Sequence, residues 1–364
     1  MKYILSGGGT GGHIYPALAI AKEIKNRDSN NEILYIGKKN SLEEELVTKE
    51  GYDFKPIHIE GLPRKKISFK TIKTMWTLLR GIGESSSIIK DFDPDVVIGT
   101  GGYVCGPVLF VAQKKKIKTV VQEQNAFPGK TNKILSKKAD LVALNFKEAE
   151  KYLDSENMII TGNPIRDDFN YLDREKSAQK LGSDLKGKTV LSFGGSGGQE
   201  STNDAVIGMI KAKLDFNFNF IHITGKEHYD YFMDSIKGIE LPENIKIVDY
   251  SYEIPDILTI SDLVIASSSA MTLAEISAVG VASILIPKSY TAGNHQYFNA
   301  KSYEEKGASR IILEKDLTSE ELYGNIIEIL NNDEERLSMA KASKELGNID
   351  AVKILVDEIE GLIQ

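Results

Sequence analysis

Ser6-Gly7-Gly8-Gly9-Thr10-Gly11-Gly12-His13 and Ser192-Phe193-Gly194-Gly195-Ser196-Gly197-Gly198-Gln199 are two copies of one glycine-rich turn, 186 residues apart. Each follows a short apolar run, Tyr3 to Leu5 and Thr189 to Leu191, so each reads as strand, tight turn and helix start. A helix start presents unpaired N–H groups and the positive end of the dipole. Glycine lets an anion approach that backbone closely. Two such turns predict two similar domains, each offering an anion cradle to a phosphate-bearing ligand.

Outward from these turns, the chain alternates β-rich runs with helix-like stretches. The first half carries Tyr3 to Leu5, Ile33 to Ile36, Val96 to Ile98, Thr119 to Val121, Leu141 to Leu144 and Met158 to Ile160. The second carries Thr189 to Phe193, Phe218 to Ile223, Ile245 to Val248, Leu263 to Ile265 and Ser283 to Ile286. This is the pattern of an α/β protein with two parallel, doubly wound, Rossmann-like domains. Thr161-Gly162-Asn163-Pro164-Ile165-Arg166 lies between the halves, where proline disfavours helix at Asn163, and the hinge is expected there. The domains are accordingly expected at 1–163 and 164–345, with a helical tail, 346–364, returning to the first.

Composition narrows the class. With 364 residues, 41% apolar and 27% charged, the chain has the size and balance for two folded domains. No apolar run approaches the roughly 18 residues needed to span a bilayer. The start runs into glycines before a signal-peptide core forms, which predicts a cytosolic protein. One cysteine, Cys105, excludes an internal disulfide, and a net charge of −7 argues against general nucleic-acid binding. His13, His58, His222, His228 and His295 show no metal-ligand spacing with that cysteine.

Three motifs compete. Gly7-x-Gly9-x-x-Gly12 fits the dinucleotide fingerprint, but Gly37-Lys38-Lys39 follows the second strand where NAD needs an acid, leaving an NADP-dependent oxidoreductase. Gly194-x-Ser196-x-Gly198, with His295 downstream, fits a hydrolase nucleophile elbow. Its counterpart in the first turn is Thr10, which points to phosphate contact instead. Gly182-x-x-x-x-Gly187-Lys188-Thr189 matches a P-loop by letter but precedes a strand, so its amides cannot form a cradle.

Further landmarks are Gly101-Gly102-Tyr103-Val104-Cys105-Gly106-Pro107, Glu123-Gln124-Asn125 with Pro128-Gly129, Thr161 to Arg166, Ala270 to Glu275, and Gln296-Tyr297-Phe298-Asn299-Ala300. With the two turns, and in this order from end to end, they resemble the MurG family of N-acetylglucosaminyltransferases. The resemblance implies the GT-B architecture. It also implies UDP-GlcNAc as donor, undecaprenyl-diphosphate-linked MurNAc-pentapeptide as acceptor, inverting transfer to the acceptor 4-hydroxyl, and no cofactor or metal. Its setting would be the cytoplasmic face of the cell membrane, with cell-wall synthesis or division proteins as partners. Three positions depart from the family: Gln122 replaces a histidine, Gly197 a glutamine and Ser267 an arginine.

On this resemblance two bases compete. His13 at a helix N-terminus would stay neutral, although capping the helix or holding Thr10 explains it equally. Glu123 is the alternative, although a loop carboxylate is more often solvated or paired. Thr10, Gly11, Gly12, Ser196, Ala270, Met271, Thr272 and Arg166 would hold phosphates, with a surface ion pair as the plainer reading of Arg166. Glu275 would accept the ribose hydroxyls, the backbone of Ser251 would meet uracil, and Asn125, Gln296 and Asn299 would bind sugar.

One stretch reverses the chain's charge. Leu62 to Gly83 holds Arg64, Lys65, Lys66, Lys70, Lys73 and Arg80 without an acid. If Phe69 to Ile82 is helical, Phe69, Ile72, Trp76 and Leu79 share an arc, adjoining Ile67. That arrangement predicts docking on anionic inner-leaflet lipid, with a core-facing helix and a solvated basic rim as the alternative.

Overall fold

The computed structural model describes residues 1–61, 69–195 and 197–363, and for 69–73 the backbone alone. The chain divides into two compact units, Met1–Ile165 with Asp350–Gln364, and Arg166–Ile349. These divisions replace the expected ones after 163 and 345.

The first unit is built on seven parallel strands: β1 (Lys2–Gly7), β2 (Glu32–Lys38), β3 (Asp53–Ile57), β4 (Val96–Gly101), β5 (Lys118–Glu123), β6 (Leu141–Leu144) and β7 (Met158–Ile160). Their order is β3-β2-β1-β4-β5-β6-β7. Buried apolar side chains alternate between two cores. Tyr3, Leu5, Val96 and Ile98 pack on one face, against Ala17, Ile20 and Ile24 of the Gly11–Arg27 helix. Ile4, Val97 and Val121 face the other, against Val108 and Leu109 of the Cys105–Lys114 helix. β3 was not expected. It is an edge strand of mostly exposed or half-exposed residues, and only at such an edge does Pro56 fit without breaking a ladder.

The last helix, Ala351–Gly361, belongs to this unit. Val352, Leu355, Val356 and Ile359 join the core of the Gly11–Arg27 helix. Arg27 closes the contact, with Nη1 2.7 Å from Asp357 and 3.0 Å from Glu360 and Nη2 donating to the Lys353 carbonyl at 2.8 Å.

The second unit repeats the plan on six parallel strands: β8 (Thr189–Phe193), β9 (Asn219–Ile223), β10 (Ile245–Val248), β11 (Leu263–Ala266), β12 (Ala282–Leu285) and β13 (Ser309–Ile311). Their order is β10-β9-β8-β11-β12-β13. Both sheets therefore change direction beside the strand that carries a glycine turn, at β1/β4 and β8/β11. Ligands of such sheets sit at the carboxyl ends of the strands flanking that point.

Candidate active site

In the first unit, four loops meet at the carboxyl end of the sheet. The turn after β1 passes through Gly8 and Gly9, the latter at φ +84°, and enters the Gly11–Arg27 helix with Thr10 at the cap. The Thr10 side chain makes no cap bond and the helix's own first turn holds no acid, while the buried Glu43 reaches the turn and accepts from Gly9 N at 3.4 Å. Against it runs the turn after β4. A Cβ on Gly102 would stand 2.2 Å from the Gly8 carbonyl, so only glycine permits this approach.

His13 is held by that second turn. Its Nδ1 lies 3.1 Å from the Thr100 carbonyl and 2.9 Å from Gln124 Oε1, while Thr100 Oγ1 donates to the His13 carbonyl at 2.6 Å. Gln124 Nε2 donates to the Thr100 carbonyl at 2.6 Å, so its Oε1 is the atom turned to the histidine. Two acceptors around Nδ1 place a proton there, so the neutral ring would carry its lone pair on Nε2. The histidine thus has the tautomer a general base requires.

Glu123 has a different place. Its carboxylate is 1% exposed and accepts four N–H donors: Asn125 N at 2.9 Å, Asn125 Nδ2 at 3.1 Å, Gly129 N at 3.1 Å and Asn132 Nδ2 at 2.8 Å. Both oxygens are therefore engaged in shaping the 124–132 loop. This corrects the base reading of Glu123, and it ties the Asn125 amide to its own turn. Gln122, the departure from histidine, is buried in an amide chain: its Nε2 donates to Asn163 Oδ1 at 3.0 Å and its Oε1 accepts from Gln124 Nε2. It thereby supports the glutamine that orients His13.

In the second unit the turn after β8 uses Gly195 at φ +82° and Gly198 at φ +74°. Ser267, where the family has arginine, is buried and donates to the Gly194 carbonyl at 3.1 Å. A side chain at Gly197 would meet open space, so glycine there is not a steric demand. The Ala270–Val279 helix begins beside this turn. Ser269 caps it, accepting from Thr272 N at 3.3 Å, so Thr272 N is already partnered while Ala270 and Met271 complete the first turn.

Glu275 lies on that helix with its side chain 18% exposed. Burial pushes its carboxyl up to about 7, against a partial opposing pull from Arg166, whose Nη2 is 3.5 Å away. Arg166 is half exposed and its guanidinium also lies 5.9 Å from the Phe169 ring centroid. The ion-pair reading of Arg166 thus finds its partner in Glu275, 109 residues along the chain. Ser251 sits in the loop after β10 and its Oγ accepts from Glu253 N at 3.1 Å, flanked by the edge-to-face rings of Tyr250 and Tyr252.

Asn299 and Gln296, expected as sugar ligands, each hold a neighbouring loop. Asn299 is fully buried and donates to the Ser268 carbonyl at 3.2 Å; Gln296 is 5% exposed and its Oε1 accepts from Lys288 N at 3.0 Å. From the His295–Glu305 helix they fix the loops after β11 and β12. His295, the base of the hydrolase alternative, faces the Ala292 carbonyl at 2.9 Å. Residues the sequence reading missed are Lys288 and Glu314, which hold the second glycine turn. A lysine two residues past the apolar run ending at Ile286, after Pro287, was the available signal.

The basic stretch is described in part. Arg64, Lys65, Lys66 and Ile67 lie outside the described residues, as does Ser196, and so do the side chains of Phe69, Lys70, Ile72 and Lys73. The helix spans Phe69–Phe92. Leu78, Ile82 and Ile89 face the core, whereas Trp76 and Leu79 are 71% and 57% exposed and Met75 joins them outside. The outward face is thus apolar over residues 75–79, with the exposed Arg80 beside it. No described helix is long and apolar enough to cross a membrane, and among the described residues no group of acids, histidines and cysteine is placed to hold a metal ion.

Two doubly wound units with a glycine turn at each switch point define the GT-B fold. Residues 3–144 match the glycosyltransferase family 28 N-terminal domain, and 189–355 its C-terminal domain. A UDP-N-acetylglucosamine--N-acetylmuramyl-(pentapeptide) pyrophosphoryl-undecaprenol N-acetylglucosamine transferase from Acetivibrio thermocellus is 46% identical, covering 100% of this chain and 99% of that one. Its namesake from Thermoanaerobacter sp. (strain X514) is 44% identical, with 100% of both chains covered. The crystal structure of Acinetobacter baumannii MurG superposes with a TM-score of 0.80 at 24% identity, covering 99% of this chain and 100% of that chain. The chain belongs to this family of N-acetylglucosamine transferases, the MurG family. Neither the oxidoreductase nor the hydrolase alternative finds support among these relatives.

Proposed function

We propose that the protein transfers GlcNAc from UDP-GlcNAc to the 4-hydroxyl of undecaprenyl-diphospho-MurNAc-pentapeptide, with inversion at C1. The observation that carries this reading is identity of 44–46% over the full length to enzymes named for that transfer. In the proposed step the acceptor oxygen forms its bond to C1 as the C1–O bond to the diphosphate breaks. The hydroxyl proton passes to His13 Nε2, and UDP departs with the electron pair. The reading draws support from the two acceptors that hold His13 Nδ1–H, which reserve Nε2 for this transfer.

Charge on the departing diphosphate is met by Arg166, by the start of the Ala270–Val279 helix and by the glycine-turn amides, as preorganised donors. Glu275 accepts the ribose hydroxyls, and the backbone at Ser251 meets uracil. Thr10, Gly11 and Gly12 cradle the acceptor diphosphate. The outward Met75, Trp76 and Leu79, with Arg64 and the lysines of residues 65–73, seat the protein on the anionic inner leaflet where the acceptor lies. Partners among cell-wall synthesis or division proteins fit the same reading.

The test follows UDP release with UDP-GlcNAc and a short-chain acceptor analogue. Release that depends on acceptor, with His13→Ala lowering kcat by about 10²-fold or more while donor affinity holds, supports the reading. Equal release without acceptor contradicts it.

A further inference from the structure

Lys288 follows β12 and reaches back to the second glycine turn, where its Nζ donates to the Gly198 carbonyl at 2.7 Å. Among the described residues no carboxylate lies within ion-pair distance of that ammonium. Glu314 is the nearest acid by its electrostatic influence, yet its oxygens are engaged by Gln199 Nε2 at 2.9 Å, Ser201 Oγ at 2.8 Å and Ser289 N at 2.8 Å. Burial lowers the proton affinity of Lys288, so the charge sits there at a cost that an anion would relieve. Two other lysines of the unit are engaged elsewhere, Lys226 over the Tyr250 ring and Lys301 with Glu304. At position 267, beside the same turn, stands an uncharged serine bonded to Gly194.

We propose that Lys288, in addition to Arg166, is a cationic ligand of the donor diphosphate, acting at the second glycine turn and supplying from the loop after β12 the charge that Ser267 does not. The inference rests on the donor reading above. In the free protein the ammonium holds the Gly198 carbonyl and so orients the turn; with nucleotide present it faces the diphosphate. Gln199 and Ser289, both tied to Glu314, keep turn and loop together so that the lysine is positioned in advance.

The test compares wild type, Lys288→Gln and Lys288→Arg for binding of UDP and of uridine by calorimetry. Glutamine can still donate to Gly198 but carries no charge. Lys288→Gln is expected to weaken UDP about ten-fold or more, to leave uridine affinity unchanged, and to melt with wild type; Lys288→Arg is expected to keep UDP affinity. Unchanged UDP affinity in Lys288→Gln overturns the proposal, and so does equal weakening of UDP and uridine, which would mark a purely structural role. Should Lys288→Gln fail to fold, a ten-fold loss in the folded Lys288→Arg variant would likewise overturn it. Absence of UDP binding by wild type would instead contradict the donor reading itself.

Discussion

Glu275 gives the prediction with the clearest sign. Its carboxyl, ordinarily at 4.5, is pushed to about 7 by burial, with Arg166 offsetting part of the shift. Between those two values the folded protein holds the proton and the unfolded chain does not, so stability falls as pH rises through the window. Above it the full penalty applies. At roughly 1.4 kcal/mol per pH unit, ionising Glu275 in the folded state costs about 3 kcal/mol. Glu275→Gln removes that cost, because an amide of the same shape does not ionise. The substitution is therefore expected to stabilise the protein at pH 8 by about 3 kcal/mol, raising the melting temperature of a unit this size by roughly 6–12 °C. At pH 5 the gain shrinks below about 1 kcal/mol. Thermal melts of both proteins at the two pH values measure this directly. A variant no more stable than wild type at pH 8, or a difference independent of pH, refutes the argument. Because the ionised form is the one that accepts two ribose hydroxyls, wild-type UDP affinity is also expected to rise from pH 6 to 8, and that rise to vanish in Glu275→Gln.

Glu123→Gln removes one of two oxygens that order the 124–132 loop, so kcat falls, yet the acid limb of the kcat/KM–pH profile persists; its disappearance would return Glu123 to the role of base. Gly102→Ala places a methyl 2.2 Å from the Gly8 carbonyl at a φ of +79°, and is expected to destabilise by about 3 kcal/mol and abolish activity, as read by denaturant unfolding. Trp76→Glu with Leu79→Glu is expected to abolish flotation with anionic liposomes while turnover of a water-soluble acceptor analogue holds; unchanged flotation removes the membrane role from this face.

The plan of both sheets was legible because their central strands are continuous apolar runs, each ending at a turn or helix start. The two missed strands are edges. β3 contains Pro56 and half-exposed side chains, and β13 is three residues around Arg310, so neither carries the buried-strand pattern. Individual roles were harder. His13 could be named from its place after the glycines, but its tautomer depends on Thr100 and Gln124, about 90 to 110 residues away in sequence. Glu123 resembled a base until its loop closed on it. Asn299 shared a helical face with Gln296 as expected, yet that face is turned inward. Lys288 drew no reading from the sequence, since its reach to Gly198, 90 residues away, is set by the fold.

The measurement that bears most directly on the central claim is transfer of radiolabelled GlcNAc from UDP-GlcNAc to a short-chain MurNAc-pentapeptide lipid, with the linkage of the product read by NMR. The account predicts one UDP released per labelled disaccharide, joined β-1,4, and no labelled product from His13→Ala above a trace. Label recovered only as free GlcNAc, an α-linked product, or no transfer beside ester hydrolysis or nicotinamide turnover would contradict it.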